Sequence, residues 1–323
     1  MIHQDISIAA DVLRSGGLIG FPTETVYGLA ANALNEFAID KIYKLKNRPS
    51  SNPLIVHTHS LEEVTKYVTH IPPSAFKLAK AFWPGPLTLL LPKNKLISHA
   101  VTAGSHLVAI RIPQHPLALS LLRSLDFPLV APSANPYTRI SPTSAQMVDD
   151  YFGEDLPCIL DGGNCAKGIE STIVGFDSNN TMVYRQGAIS IDAIEFIVGK
   201  TKVLATLKER ITTPGIAPMH YAPRSKFLII EDVLAFINDN KTCKIGFLGM
   251  GEKKIDHPDL EFVSLSLTSD LEEASMNLYQ SMYYMDTLNL DYIVVNKFPE
   301  TGIGKSLNDR ITRASYEPES QAI

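Results

Sequence analysis

A chain of 323 residues with 45% hydrophobic and 20% charged side chains has the composition of a soluble globular protein and is long enough for two domains. Its net charge of −5 excludes a basic protein bound to nucleic acid over its whole surface, although a local basic pocket stays open. Cys158, Cys165 and Cys243 are too far apart for a disulfide framework or a cysteine-rich zinc site. With no apolar run near ~20 residues and no signal-like N-terminus, the sequence predicts a cytoplasmic protein without a membrane segment.

Apolar positions 6, 9, 10 and 13 predict a helix over 6–14 that Gly16-Gly17 ends. Leu18–Phe21 reads as a buried strand stopped by Pro22, which cannot donate to a sheet ladder. Thr23, Glu24, Thr25 and Tyr27 follow at once, before Gly28 and a small-residue segment. These polar tips either cap the next element or line a ligand site beyond the strand end, where open α/β sheets bind their ligands.

Asn35 is placed to cap a helix with Ala38, Ile42 and Leu45 on its buried face. That helix runs out at Lys46-Asn-Arg-Pro49 and is expected to present Lys46 and Arg48 together at its solvent end. Pro53–His57 reads as a strand, and 60–69 and 74–82 as helices. Leu87–Leu91, after the Trp83-Pro-Gly-Pro86 break, and Leu107–Ile112 read as strands. Arg111 inside an apolar run needs a partner or an anion. Leu129–Asn135 repeats the opening pattern of strand, proline and polar tips, with Ser133 and Asn135 as the tips. A helix over 143–152, a glycine-rich approach to a strand at Thr172–Phe176, a strand ending at Arg185 and a helix over 190–199 complete a mixed α/β domain over 1–204.

Residues 205–225 have the proline-rich composition of a linker or covering loop. Residues 226–323 then alternate strands at 226–230, 244–249, 261–267 and 292–298 with a long helix over 270–288, as in a smaller Rossmann-like α/β domain. Two glycine motifs fail as nucleotide signatures. Gly302-Ile-Gly-Lys-Ser306 has Pro299 where a phosphate loop needs glycine, and Gly249-Met-Gly251 has Lys254 in place of the third glycine. No histidine pair has metal-ligand spacing on a helix.

The strand-end residues Thr23, Thr25, Tyr27, Lys46, Arg48, Asn52, His57, Arg111, Ser133, Asn135, Ser141, Ser171 and Arg185 combine cations with hydroxyls and amides. A polyanionic nucleotide calls for that mixture, with Lys as a point charge and Arg as a bidentate fork. The competing reading of each Arg is a structural ion pair.

On Phe-Pro-Thr-Glu-Thr-Val-Tyr-Gly-Leu (21–29), Lys-Asn-Arg-Pro with Asn-Pro-Leu-Ile-Val-His (46–57), Trp-Pro-Gly-Pro-Leu-Thr (83–88), Val-Ala-Ile-Arg-Ile-Pro (108–113), Ala-Pro-Ser-Ala-Asn (131–135), Ser-Pro-Thr (141–143), Glu-Ser-Thr-Ile-Val (170–174) and Arg-Gln-Gly (185–187), the chain resembles the YrdC-like threonylcarbamoyl-AMP synthases. The Pro-Gly…His-Tyr-Ala-Pro segment at 214–223 and the domain after it resemble the family's long, two-domain form.

The resemblance implies a YrdC-like mixed twisted sheet with helices, and synthesis of L-threonylcarbamoyladenylate from L-threonine, bicarbonate or CO2, and ATP, with Mg2+ accompanying the ATP. It implies that Thr25, His57, Arg111 and Ser171 hold threonine, with Tyr27 and Ala131 nearby. Arg48, Asn52, Ser133, Asn135, Ser141, Arg185 and, from the linker, Tyr221 hold ATP, with Lys46 at the phosphates and Lys46 and Arg48 as the charge-stabilising pair. The implied partner is a downstream tRNA threonylcarbamoyl transferase; direct contact with tRNA is expected to be weak. Leu107 departs from the pattern, because many members of the family carry a hydroxyl residue there. Two alternatives accompany this reading: a noncatalytic module for double-stranded RNA or tRNA, and carbamoyl transfer in hydrogenase maturation, whose zinc-binding cysteine clusters the sequence lacks.

Overall fold

A computed structural model of the chain describes residues 1–177, 180–204, 219–253, 255, 257 and 260–316. The chain divides into two compact units, one of Met1–Tyr137 and Ser141–Ile216, the other of Thr138–Ile140 and Ala217–Ile323. Among the described residues no helix is long and apolar enough to cross a membrane.

The strands of the first unit are β1 (Ile2–His3), β2 (Ile19–Phe21), β3 (Gly28–Asn32), β4 (Ile55–His57), β5 (Leu87–Pro92), β6 (Leu107–Arg111), β7 (Leu129–Val130), β8 (Cys158–Leu160), β9 (Thr172–Asp177), β10 (Asn180–Arg185) and β11 (Lys202–Val203). They form one mixed sheet in the order β1-β8-β2-β3-β7-β4-β6-β5-β9-β10-β11. Side chains alternate between its faces. Leu29, Ala31, Val56, Val130 and Ile159 enter one core cluster. Their neighbours Ala30, Leu129, Cys158 and Leu160 enter another. Both faces are covered at the centre of the sheet, so β2, β4, β7 and β8 are buried along their whole length.

Local signals set the helices. Asp5 accepts the Ser7 N–H and starts the helix Ile6–Arg14, which buries Ala9, Ala10 and Leu13. Asn35 accepts the N–H groups of Phe37 and Ala38 and starts Glu36–Lys46. That helix ends where Asn47 adopts a left-handed φ of 51°, which Asn tolerates better than most residues. The turn directs Lys46 and Arg48 inward, and both are buried. The expected solvent-facing pair is thereby corrected. The expected helix over 60–69 shortens to Leu61–Thr65, because Val68 leaves to bridge Lys93. The small-residue segment after Tyr27 is the strand β3: a Cβ on Gly28 would lie 2.9 Å from that of Ala131, so the two backbones approach closely only with glycine there.

In the second unit β12 (Lys226–Ile229), β13 (Ile245–Gly249), β14 (Leu260–Ser264) and β15 (Tyr292–Val295) form a parallel sheet in the order β12-β15-β13-β14. Helices Val233–Asp239, Leu271–Thr287 and Gly304–Ala314 accompany it. The strands expected over 261–267 and 292–298 stop at Ser264 and Val295. Of the expected linker and lid over 205–225, residues 205–218 lie outside the described residues. Ala222 and Pro223 pair with the excursion Thr138–Ile140, through Ala222 N–H to Thr138 O (2.9 Å) and Arg139 Nη1 to Pro223 O (3.2 Å).

Candidate active site

Sheet register builds the first half of the site. The parallel neighbours β4 and β6 set His57 opposite Arg111. Nη1 of Arg111 donates to Thr25 Oγ1 (2.9 Å), and Nε donates to Gly85 O (3.2 Å). Nη2 lies 2.7 Å from Glu24 Oε1, in an ion pair whose two side chains are almost wholly buried. The other carboxylate oxygen of Glu24 accepts the Gln114 N–H at 3.0 Å. Glu24 is thus the counter-ion that a buried arginine requires. Sequence reasoning identified the need but not the residue, although Glu24 lies inside the Thr23–Tyr27 cluster that it singled out.

The turn that carries Glu24 is held by Thr23, whose Oγ1 accepts the N–H groups of Thr25 (3.1 Å) and Val26 (3.3 Å). Thr23 therefore caps the turn, as the first reading had it, while Thr25 accepts from Arg111. His57 is 3% exposed, and burial, reinforced by the positive charge of Arg111, lowers its pKa to about 3. Its Nδ1 lies 3.2 Å from Ile55 O. A neutral ring beside a carbonyl must donate from that nitrogen, which leaves Nε2 as an acceptor.

Tyr27 donates its hydroxyl proton to Gly163 O (2.8 Å) and accepts the Gly162 N–H (3.0 Å). Burial raises its pKa. It ties the glycine-rich loop to β3 and has no proton left for a ligand. Cys165 lies in the same neighbourhood. Burial, with the Glu24 charge, raises its pKa, which keeps the thiol protonated and unreactive.

The second half begins at β7, which pairs with β4 and leads into Ala131–Asn135. Ala131 N–H bonds Ile55 O (3.0 Å), and Ser133 bridges Gly28, so this loop is joined to the first half by backbone. Lys46, 1% exposed, reaches beneath it: Nζ donates to Ser133 O at 2.6 Å and to Asn135 O. Burial, with Arg48 nearby, pushes its pKa well below the usual lysine range. Arg48 donates from Nε to Asn52 O (3.3 Å) and from Nη2 to Pro53 O (3.0 Å). Asn52 is 4% exposed, and both polar atoms of its side chain lack a hydrogen-bond partner among the described residues. A buried amide left in that state is expensive unless a ligand satisfies it.

A third group lies where β5 and β9 run parallel. Ser171 Oγ is 2.7 Å from Thr88 Oγ1 and accepts from Arg185 Nη2 at 3.0 Å. Arg185 also grips Ser171 O through Nε (3.1 Å) and Nη2 (2.9 Å). Ser141 donates to Glu170 Oε1 (2.8 Å). A Cβ on Gly187 would meet Glu170 O at 2.4 Å, which explains the glycine of the Arg-Gln-Gly motif.

The structure therefore places Thr25, Tyr27, Arg48, Asn52, His57, Arg111, Ala131, Ser133, Asn135, Ser141, Ser171 and Arg185 on strand ends and loops of one sheet, with Lys46 at the end of the helix Glu36–Lys46. Leu107 N–H bonds Ser105 Oγ at 3.0 Å, so a hydroxyl is adjacent to the position where the side chain offers none. Tyr221 belongs to the second unit. There its ring stacks on Tyr279 (5.3 Å, 26°), with the Arg310 and Arg313 guanidinium carbons 5.2 and 5.1 Å from its centre.

Comparison with known proteins places this geometry. Residues 11–187 match a family model described as telomere recombination, and 189–315 match the C-terminal domain of threonylcarbamoyl-AMP synthase. The chain is 36% identical to a threonylcarbamoyl-AMP synthase of Pyrococcus abyssi, covering 96% of this chain and 94% of that one. It is 37% identical to the Bacillus subtilis enzyme of the same name, over 96% and 92% of the two chains. The crystal structure of P. abyssi Sua5 complexed with L-threonine superposes with a TM-score of 0.88 at 34% identity, over 98% and 97% of the chains. Through the two family models and the near full-length relatives alike, this chain belongs to the threonylcarbamoyl-AMP synthase family.

Proposed function

We infer that the chain makes L-threonylcarbamoyladenylate from L-threonine, bicarbonate or CO2, and ATP, releasing pyrophosphate, in the pathway that modifies tRNA with threonylcarbamoyladenosine. The observation that carries this reading is the buried cluster of Arg111, Glu24, Thr25 and neutral His57, joined by backbone to the loop that Lys46 supports. A relative solved with L-threonine supports threonine as the amino acid.

Arg111 would meet the threonine carboxylate with N–H groups that Thr25, Gly85 and Glu24 leave over, its fork held at a fixed angle by those partners. Nε2 of His57 would accept from a donor on the substrate, and Ser171 would read the small polar side chain. With the carboxylate held in this way, the amine is the end left to react. It forms a carbamate with CO2. A carbamate oxygen then attacks the α-phosphorus of ATP: one O–P bond forms, the bond from that phosphorus to the bridging oxygen breaks, and pyrophosphate leaves with the electron pair. The protein's part is positioning and charge stabilisation. Arg48, Arg185 and Lys46 would supply the positive field at the phosphates, and Asn52 would give its amide to the nucleotide.

Glu24 is paired with Arg111, and Glu170 accepts from Ser141. This donor set fits a magnesium ion bound mainly through the phosphates of ATP, where it would neutralise their charge.

Pyrophosphate release, measured with all three substrates and with each omitted in turn, tests the reading. Release should require threonine and bicarbonate together. Release without threonine would contradict it. A purely RNA-binding role is not favoured, because relatives spanning nearly the whole chain are named as enzymes.

A further inference from the structure

The second unit has a cleft of its own, about 780 Å³ in volume, at the carboxyl ends of β12, β13 and β15. Its size and place are those of a small-molecule site: open parallel sheets take ligands outside the carboxyl ends of their strands, in clefts of roughly 300–1,000 Å³. The floor is aromatic. Phe247 and Phe262 line it, their ring centres 5.6 Å apart. A Cβ on Gly249 would lie 2.6 Å from the Phe262 ring, so this glycine lets the phenyl group lie across the strand end. Leu234 and Met250 extend the apolar wall, while Glu231, Asp232 and Glu252 are exposed where they line it.

A nucleotide-binding sheet would hold phosphate at one of these strand ends, on bare N–H groups. Here protein groups already occupy several of the donors that such a site would use. After β12, the Ala235 N–H is taken by Asp232 Oδ1 (3.0 Å), and Asn296 Nδ2 binds the carbonyl of Ile230 (2.8 Å). After β13, Gly251 N–H goes to Ser266 O (2.7 Å). After β15, in the Gly302–Ser306 turn, Gly304 N–H goes to Thr301 O and Ser306 N–H to Ile303 O, each at 2.9 Å. Among the described residues of the lining, the carboxylates of Glu231, Asp232 and Glu252 oppose one ammonium, that of Lys297. An anion is repelled, and a planar group bearing hydroxyl or amino donors is matched.

We propose that this cleft is a second binding site, for an unphosphorylated nucleoside. The base lies against Phe247 and Phe262, and the ribose hydroxyls or exocyclic amine donate to the rim carboxylates. The site is independent of the synthase reaction, and its test does not use that reaction.

The experiment uses full-length protein with [13C-methyl]methionine, the Met250 signal being assigned with Met250→Leu and titrated with adenosine and with AMP. Met250 reports from the second unit, so nucleotide held elsewhere does not dominate the signal. Adenosine should shift it saturably at or below ~1 mM, the weak end of specific small-ligand affinity. AMP should bind at least ~10-fold more weakly, and Glu252→Gln should weaken adenosine by up to about 10-fold, as expected for loss of a charge-assisted hydrogen bond. Leu234→Lys, a change at an exposed position, should narrow the preference against AMP. The proposal is overturned by no saturable shift with adenosine, by AMP binding as tightly as adenosine, or by unchanged preference in both variants.

Discussion

The two halves of the site handle buried charge in opposite ways. Around Arg111 the charge is answered by a charge, the Glu24 carboxylate, with Thr25 and Gly85 fixing the angle of the fork. Around Lys46 and Arg48, the side chains donate to the backbone carbonyls of Ser133, Asn135, Asn52 and Pro53. A carboxylate neutralises its partner, whereas a carbonyl only solvates a donor. On the proposed function, the first arrangement would meet the single carboxylate of threonine and the second would lie toward the triphosphate.

The contrast is broken most severely at Arg111. Arg111→Ala leaves Glu24 buried without its partner, which should reduce unfolding stability by about 3–5 kcal/mol in denaturant titrations. Its kcat/KM for threonine should fall by about 10²–10³-fold, as expected when one member of a buried charged contact is truncated. Adding Glu24→Gln should restore much of the stability and none of the activity. Full recovery of both would show that the pair serves the fold alone.

Next in size is the carbonyl-held half. Lys46→Ala or Arg48→Ala should lower adenylate formation by about 10²-fold, by analogy with loss of a charge-stabilising donor. Threonine affinity, measured by calorimetry without ATP, should stay unchanged. A parallel loss of threonine binding would erase the distinction between the halves.

How much of this was legible in the sequence follows from the range over which each feature acts. The Asn35 cap, the helix Ile6–Arg14 and the apolar strands are local patterns and could be read directly. The strand β3 was not, since Gly-Leu-Ala-Ala-Asn owes its pairing to close contact with Ala131 and carries little strand propensity. The strand-end list could be collected because proline and polar tips mark where strands leave a sheet. The partners were hidden. Thr25 and Arg111 stand 86 residues apart, and Lys46 bonds a carbonyl 87 residues away that every residue type possesses. The inward turn at Asn47 was hidden too, because a left-handed residue is one of several ways to end a helix before proline.

Smaller effects sharpen the account. Asn52→Ala removes a buried amide without hydrogen-bond partners among the described residues, so stability should change little. ATP affinity should fall by about 10-fold, the loss of a hydrogen bond or two. A large stability loss with unchanged ATP binding would make Asn52 structural.

A separate effect, read against pH and not against activity, is that of His57. Its folded pKa of about 3 lies below the ordinary 6.5, so between those values the unfolded chain binds the extra proton. The stability from this group is complete above pH 6.5 and is lost as pH falls toward 3, by at most ~1.4 kcal/mol per pH unit. His57→Gln should flatten that limb of the stability curve; an unaltered slope would mean that the ring is not buried neutral.

The central claim is that Arg111 and its partners hold threonine by its carboxylate, so that the activated group is built on the amine. The direct measurement is mass analysis of the product formed from 13C-bicarbonate, threonine and ATP. The account requires an adenylate containing threonine and one bicarbonate-derived carbon. A threonyl-adenylate without the label, activated at the carboxylate itself, would contradict it.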